Sequence, residues 1–374
     1  MLFLYLRRLK LGNFRNYKVL DLKFNSKLIF FVGPNGQGKT NIIEAIYFSC
    51  TGRSHRTSKE KDLINWDEDK ALVKSYVGKQ GSSSEISIYL NKNEKKTVNI
   101  NGTQTKRLGE LMGHLNSVIF SPEDLKLVKD GPIERRRFMD MEISQINPRY
   151  FYCLQRYNRV LSHRNNLLKE IQRNGSLSKT LPIWNEQLAE AGSYIINKRI
   201  KFVNSLQNIS REIHKKISCN SEDLSIVYKT SIPFKTADIK DIRESFLREL
   251  ENREETDIKR GTTSRGCHRD DMGITINGAD VRSFGSQGQV RTTVLSLKLS
   301  ELEFMYNETG EYPLLLLDDV MSELDPVRQQ MLLEYIGRVQ TFISTTDLEQ
   351  LPKSLISQSE KFYIKKGALA PPIP

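Results

Sequence analysis

Phe31-Val32-Gly33-Pro34-Asn35-Gly36-Gln37-Gly38-Lys39-Thr40 decides how the rest of the chain is read. It spells G-x-x-x-x-G-K-T, with apolar Leu28 to Val32 ahead of it and helix-forming Ile42, Ile43, Glu44 and Ala45 behind. A strand, a glycine-rich turn and a helix in that order make a phosphate-binding P-loop. The glycines let backbone N–H groups turn inward around phosphates, and the helix start adds the positive end of its dipole. Gly33, Pro34, Asn35, Gly36, Gln37, Gly38 and Asn41 are therefore candidate nucleotide contacts. Lys39 is expected to reach the β- and γ-phosphates as a point charge, and Thr40 to offer its hydroxyl to Mg²⁺.

The chain has 374 residues, 38% hydrophobic and 27% charged, which fits an ordinary globular chain and neither a disordered nor a membranous one. No apolar run approaches the roughly 20 residues needed to cross a bilayer. The opening MLFLYLRRLKLGNF places apolar residues ahead of its basic cluster, the reverse of a signal peptide, so it reads as a first strand. A net charge of +12 makes a polyanionic partner plausible. The four cysteines (Cys50, Cys153, Cys219, Cys267) are widely spaced with no C-x-x-C pair. That argues for a reducing compartment and against a zinc site or a disulfide framework.

In chain order, residues 1–32 alternate apolar and polar like two or three strands. After the P-loop helix comes Thr51-Gly52-Arg53-Ser54-His55-Arg56-Thr57-Ser58-Lys59, a basic, hydroxyl-rich loop that is either a solvated turn or a phosphate contact. Residues 71–120 are strand-like again, with a tight turn at Asn101-Gly102. The spacing then predicts a helix over 138–171, a break at Asn174-Gly175-Ser176, and a second helix from Trp184 to Ile217, together an antiparallel hairpin with an apolar seam. Strand, helix and strand follow at 224–228, 239–250 and 272–276, so the hairpin interrupts a P-loop domain that resumes after it. Only 367–374, GALAPPIP, reads as disordered.

Two further motifs complete the site. Ser286-Gln287-Gly288-Gln289 precedes a helix, and Leu314-Leu315-Leu316-Leu317-Asp318-Asp319 follows it in the Walker B pattern. This is a buried parallel strand whose Asp318 holds Mg²⁺, with Asp319 as the candidate base for water. Ser322-Glu323-Leu324-Asp325-Pro326 then starts a helix with Asp325 as N-cap, and Thr341 to Thr346 is a strand ending in hydroxyls.

In this order the motifs resemble the ABC-type ATPases. The resemblance implies an α/β fold: an ABC-type P-loop ATPase head, a mixed sheet with helices, carrying an inserted antiparallel helical hairpin lobe. In that superfamily the S-x-G-Q of one subunit covers the γ-phosphate held by the P-loop of another, which would make Ser286, Gln287, Gly288 and Gln289 nucleotide contacts in a head-to-tail dimer. Two departures suggest slow hydrolysis: Asp319 stands where the superfamily usually has Glu, and Thr345 and Thr346 stand where it has a switch His.

About 245 residues separate Thr40 from Ser286. A transporter cassette sets them much closer and a chromosome-condensing coiled-coil ATPase far further apart. Asn13-Phe14-Arg15-Asn16-Tyr17, GPNGQGKTN, Gly52 to Arg56, Phe120 to Leu125, Arg135-Arg136-Arg137-Phe138, His268-Arg269-Asp270-Asp271, Phe284 to Thr292 and LLLLDDVMSELD are similar to stretches of the RecF family of bacterial recombination mediators. Cys267 departs from that family's usual Pro. This resemblance implies a cytoplasmic protein with ATP and Mg²⁺ as its nucleotide and metal. It further implies sequence-independent binding of double- and single-stranded DNA, ATP-induced homodimers, and action with RecR and RecO to load RecA at gaps. A weak DNA-stimulated ATPase supporting replication and the SOS response would accompany this. Lys39 and Asp319 are the catalytic candidates, and Thr40, Asp318 and, by analogy with the Q-loop, Glu123 the metal candidates. Arg53, His55 and Arg56, with Arg135, Arg136 and Arg137 at the hairpin base, are candidate DNA contacts or plain surface cations. The expected division is an ATPase lobe over 1–125, a hairpin lobe over 126–222, a second ATPase lobe over 223–366 and a tail over 367–374. A DNA-end tether and a transporter ATPase cassette are the rivals; the short hairpin without a C-x-x-C hook argues against the tether, and the motif spacing against the cassette.

Overall fold

The structure, a computed structural model, describes residues 5–79, 82–321, 324–348 and 352–371. Strands Tyr5–Phe14 (β1), Tyr17–Lys23 (β2), Leu28–Val32 (β3), Lys70–Lys79 (β4), Ser82–Asn91 (β5), Glu94–Ile100 (β6), Thr103–Gln104 (β7) and Ser117–Phe120 (β8) make up the first third of the chain. Six of them form an antiparallel sheet in the order β2-β1-β4-β5-β6-β7. Their alternation is that of a sheet with one face on the core: Val73, Ser75 and Val77 of β4 are buried, while Lys74 and Tyr76 between them are not.

The chain divides into two compact units, residues 125–294 and the remainder, 1–124 with 295–374. Residues 223–294 thus group with the helical hairpin, whereas the sequence placed them with a second ATPase lobe. In the 125–294 unit the expected helix over 138–171 is two helices, Pro132–Ile146 and Pro148–Ile171. The break is at Asn147 (φ −135°, ψ 88°), because a residue before proline is driven out of the helical region. Pro148 opens the second helix, and the Asn147 side chain caps it by accepting from the Tyr150 N–H at 3.0 Å. That helix and the 37-residue Leu181–Ile217 form the hairpin, joined through a 3₁₀ turn at Gly175–Thr180.

The hairpin seam is not purely apolar. Arg164 is fully buried; its guanidinium donates to Asp257 (2.9 Å), Asn185 (2.8 Å) and Thr263 (2.7 Å). Arg199, also buried, donates to Asp140 (2.8 Å) and to the Cys267 carbonyl (2.6 Å). A charge buried this way is tolerated because it is paired and hydrogen-bonded, and removing one partner of such a pair costs about 3–5 kcal/mol. Strands Leu224–Lys229 (β9), Asp271–Ile276 (β10) and Ala279–Asp280 (β11) form a small antiparallel sheet of this unit, ordered β11-β10-β9. The loop before β10 is pinned by His268, whose Nε2 lies 3.1 Å from the Thr263 carbonyl and Nδ1 2.7 Å from the Tyr157 hydroxyl. Nε2 must donate to the carbonyl; the phenol can donate or accept, and because burial keeps the ring neutral, Nδ1 accepts from it.

The chain returns to the first unit with Leu314–Asp318 (β12), Thr341–Thr345 (β13), Glu360–Lys365 (β14) and Ala368–Ala370 (β15). With β3 and β8 they build a second sheet ordered β15-β14-β3-β13-β12-β8, parallel from β14 to β8. Every residue of β3 (LIFFV), β8 (SVIF) and β12 (LLLLD) is buried, the unbroken pattern of a parallel sheet covered on both faces. The Asp325 side chain caps the helix Pro326–Ile336 as read from the sequence. Ser322 and Glu323 lie outside the described residues, as do Leu2 and Leu4. The disordered tail is corrected: β15 pairs antiparallel with β14 through Lys365–Ala368 and Tyr363–Ala370, and only 372–374 of that stretch lie outside the described residues.

Burial pushes the His268 imidazole from 6.5 down to about 4. Above pH 6.5 it is neutral folded and unfolded; below, only the unfolded chain takes up the proton, so stability is lost as pH falls from 6.5 toward about 4. His268→Gln keeps one donor and one acceptor but cannot titrate. Its melting temperature is expected to fall less steeply than that of the wild type over that window, and parallel curves would count against the neutral, buried imidazole.

Candidate nucleotide site

The P-loop follows β3, Asp318 ends β12, and β13 lies between them, pairing Asp318 with Ser344 and Ser344 with Phe31. This strand order brings residues remote in sequence to one carboxyl edge, where parallel sheets bind ligands. The Thr40 hydroxyl donates to Asp318 Oδ1 at 2.9 Å, and the Ser344 hydroxyl donates to the same oxygen at 2.7 Å. Burial pushes the Asp318 carboxyl above its ordinary value; the Ser344 and Thr40 hydroxyls oppose that and neighbouring Asp319 reinforces it. The Asp319 N–H donates to Ser344 Oγ at 2.9 Å.

Asp319 sits at φ +54°. Asp and Asn enter this left-handed region far more readily than longer side chains. The backbone thus gives a local reason for Asp at this position. Ser344, which the sequence reading left unassigned, is the residue that touches both carboxylates. Thr345, noted in place of a switch histidine, is occupied locally: its hydroxyl donates to the Asp347 carbonyl at 2.7 Å.

Lys39 is buried, and its ammonium donates to the carbonyls of Gly33 (2.7 Å) and Pro34 (3.0 Å). Burial holds it below its usual pKa against the pull of Asp319 and Asp318. The loop is braced from two sides. Asn16 in the β1–β2 turn donates to the Gln37 carbonyl at 3.0 Å and accepts from Asn41 at 2.8 Å, while the Tyr17 hydroxyl donates to the Gly38 carbonyl at 3.1 Å. Gly38, at φ +117°, has no space for a Cβ, which would lie 2.7 Å from Asn16 and 2.8 Å from Tyr17. From the β14–β15 turn, the Gly367 N–H donates to the Gln37 carbonyl (3.0 Å) and the Lys366 N–H to the Gln37 side chain (2.7 Å).

Glu44, fully buried on the P-loop helix, fastens the basic loop to it. Burial alone would raise this carboxyl; Arg15, which grips it with two bonds at 2.7 and 2.8 Å, the Ser54 hydroxyl and Arg56 hold it below its ordinary value. Arg56 also donates to Asn41 at 3.0 Å, so this exposed arginine is tied to the P-loop itself. Arg53 is exposed, and His55 packs edge-on against Tyr47. Glu123 is exposed in a 3₁₀ turn after β8.

In the other unit, Arg135 is corrected as a DNA contact. It is buried, gripped by Asp271 at 2.7 and 3.0 Å, and donates to the Asp130 carbonyl at 2.9 Å, which leaves it bracing the hairpin base. Arg136 donates to the Asp270 carbonyl at 2.7 Å, and Arg137 is exposed. Ser286 and Gln287 are exposed at the start of the helix Gln287–Thr309. The Ser286 N–H donates to Gln289 Oε1 (2.9 Å) and the Gln289 N–H to Ser286 Oγ (3.2 Å), a reciprocal capping box.

Among the described residues no group of three or more His, Cys, Asp or Glu side chains could hold a metal alone. The Thr40 hydroxyl and Asp318 carboxylate are hard oxygen donors of the kind Mg²⁺ takes alongside phosphate and water, so the residues present fit that ion.

Fold and site together define an ATPase head of ABC type. A family model described as the RecF/RecN/SMC N terminal domain matches residues 5–364. The Smc head domain from Pyrococcus furiosus shares the fold, with a TM-score of 0.55 at 17% identity over 98% of this chain and 95% of that one. Much nearer are the DNA replication and repair protein RecF of Alkaliphilus oremlandii, 47% identical over 96% of this chain and 98% of its own, and a solved structure of the recombination mediator protein RecF with ATP. The latter is 39% identical with a TM-score of 0.91, over 98% of this chain and 97% of that one. The chain belongs to the RecF family.

The β14–β15 turn tests how far the brace controls the loop. Gly367 lies at φ +70°, and a Cβ there would meet the Asn16 carbonyl oxygen at 2.4 Å. Gly367→Val is expected to lift the turn from Gln37 and weaken ATP binding about tenfold, roughly 1.4 kcal/mol, while the melting temperature moves by a few degrees. Unchanged affinity by calorimetric titration would show that the P-loop holds its shape without this turn.

Proposed function

We propose that the chain is an ATP-switched, DNA-binding protein of recombinational repair. ATP bound at the P-loop draws two copies into a head-to-tail dimer on DNA, and slow hydrolysis releases them. The observation that carries this is the Thr40–Asp318–Ser344 cluster beside Lys39, the polar edge that a nucleotide triphosphate and its metal require. The solved relative with ATP, described as part of the RecFOR pathway, supports the nucleotide and supports RecO and RecR as partners. With them, in this reading, the chain loads RecA at gaps and serves repair, replication and the SOS response. The curated relative's name supports the repair setting.

Lys39 donates to the transferring phosphates, a role its present carbonyl partners leave open to exchange. Thr40 and Asp318 would hold Mg²⁺, which offsets phosphate charge when bound. Asp319, its N–H held by Ser344, orients water as the base. An Asp reaches one methylene less far than a Glu, which supports a slow step suited to a timer. Ser286, fixed by its cap at an exposed helix start, is presented to a second copy. Arg53, Arg56 and Arg137, all exposed, contribute to the +12 charge that attracts DNA backbone without reading bases.

Three substitutions separate binding, assembly and hydrolysis. Lys39→Ala is expected to abolish ATP binding and with it dimers; Ser286→Arg to bind ATP as a monomer yet neither dimerise nor hydrolyse; Asp319→Asn to bind and dimerise but not turn over. Mass in solution with ATP and single-turnover hydrolysis read these out. If Ser286→Arg loses ATP affinity as severely as Lys39→Ala, the two motifs act within one copy and the head-to-tail dimer is wrong.

DNA affinity should also fall steeply with salt. Neutralising about six phosphates implies a loss on the order of a thousandfold between about 50 and 200 mM. A flat response by fluorescence anisotropy would remove the electrostatic account.

A further inference from the structure

We propose that Glu222 is a positioning residue for the signature motif, linking the last turn of the hairpin helix Leu181–Ile217 to Ser286; this rests on the dimer reading above. His214, in that last turn, is fully buried, and its Nε2 lies 2.9 Å from Glu222 Oε2. The other carboxylate oxygen, Oε1, accepts from Gln289 Nε2 at 2.9 Å. Gln289 in turn accepts the Ser286 N–H at Oε1 and donates its own N–H to Ser286 Oγ. The run from helix to signature serine is therefore continuous: His214, Glu222, Gln289, Ser286.

The donors and acceptors allow one arrangement. A carboxylate only accepts, so Gln289 must turn its NH₂ toward Glu222 and its carbonyl toward Ser286. The Ser286 N–H, which only donates, demands the same orientation. An amide free of Glu222 could rotate, and the cap on Ser286 would loosen with it. The segment bearing Glu222 is itself held firm. Its neighbour Asp223 is gripped by Arg211 at 2.6 and 3.0 Å, and the Asp223 N–H donates to the Asn277 side chain at 2.8 Å. A shift of the hairpin's last turn thus moves the carboxylate that sets the signature amide. Ser286 is then presented to the second copy in an orientation set by the helical lobe.

An exchange of amide and carboxylate tests this in the full chain. Gln289→Glu sets two carboxylates face to face and is expected to weaken ATP-dependent dimerisation roughly tenfold or more, with monomer affinity for ATP unchanged. Adding Glu222→Gln restores every bond with the roles reversed. The amide now at position 222 donates to the carboxylate now at position 289, which still accepts from the Ser286 N–H, and the new amide's carbonyl accepts from His214. The double variant is expected to dimerise within a few-fold of wild type, as two residues of one hydrogen-bond network should, and monomer affinity for ATP that stays constant across the variants separates presentation of Ser286 from general damage to the fold. If the double variant is no better than Gln289→Glu alone, Gln289 works without Glu222 and the proposal fails. If Gln289→Glu does not fold, recovery of folding and dimerisation in the double variant supports the pairing, and failure to recover overturns it. Ser286→Arg run alongside distinguishes the two readings. A Ser286→Arg protein that still dimerises with ATP overturns the head-to-tail arrangement in which Ser286 faces the second copy, whereas one that fails while Gln289→Glu behaves as wild type overturns only the role of Glu222.

Discussion

A buried carboxylate at the end of a parallel strand is the constraint on which the nucleotide site depends. Asp318 closes a run of four leucines that are all buried, so its charge sits where water solvates it poorly. Such a group stays useful only if hydrogen-bond donors surround it. Two hydroxyls do so, one from the P-loop helix and one from β13, and both reach the same carboxylate oxygen because β13 lies between β3 and β12. The same interactions that make the carboxylate tolerable leave it at the sheet edge with oxygen neighbours, the chemistry of a magnesium–phosphate site.

The P-loop shows how a flexible motif is held in shape. Its glycines allow left-handed turns but do not enforce them. Enforcement comes from Asn16 and Tyr17 on one side and from the Lys366–Gly367 turn on the other, all bonding to Gln37, Gly38 or Asn41. Glu44 extends this to the Gly52–Arg56 loop through Arg15, Ser54 and Arg56. A solvated turn and a phosphate-contacting loop were equal readings of those residues. The structure makes the loop part of the P-loop's support, with Arg53 and Arg56 still facing outward.

What could be read from sequence was whatever depends on local order. The P-loop, the Walker aspartate, the Asp325 cap and the strands flanking them are set by neighbours in the chain, and they stand where periodicity and capping rules put them. Asn147-Pro148 was also legible, because proline restricts the residue before it, but the apolar period running through it hid the break. Three features were not legible for a different reason. Ser344 meets Asp318 only through the crossover order of the parallel sheet. Arg135 resembles its neighbours Arg136 and Arg137 until Asp271, far along the chain, claims it. The Gly367–Pro371 stretch looks like a frayed end in composition, yet β14 offers it an edge and the P-loop offers it partners.

Those three cases share a physical cause. Each side chain or backbone group has a local identity compatible with exposure, and a distant partner converts it to a structural role. An arginine is the clearest example, since its planar fork binds a carboxylate on the protein as well as it binds a phosphate. In the 125–294 unit, Arg135, Arg164 and Arg199 all pair with buried or half-buried aspartates, so these three charges are neutralised within the fold. The number of arginines therefore overstates the cations a polyanion can meet. The cations left to meet it are the exposed ones, and in the P-loop unit Arg56 is bonded to the P-loop residue Asn41. A phosphate drawn to Arg56 would compete for a bond that now holds the nucleotide loop, so DNA contact there and nucleotide geometry would be coupled through a single guanidinium.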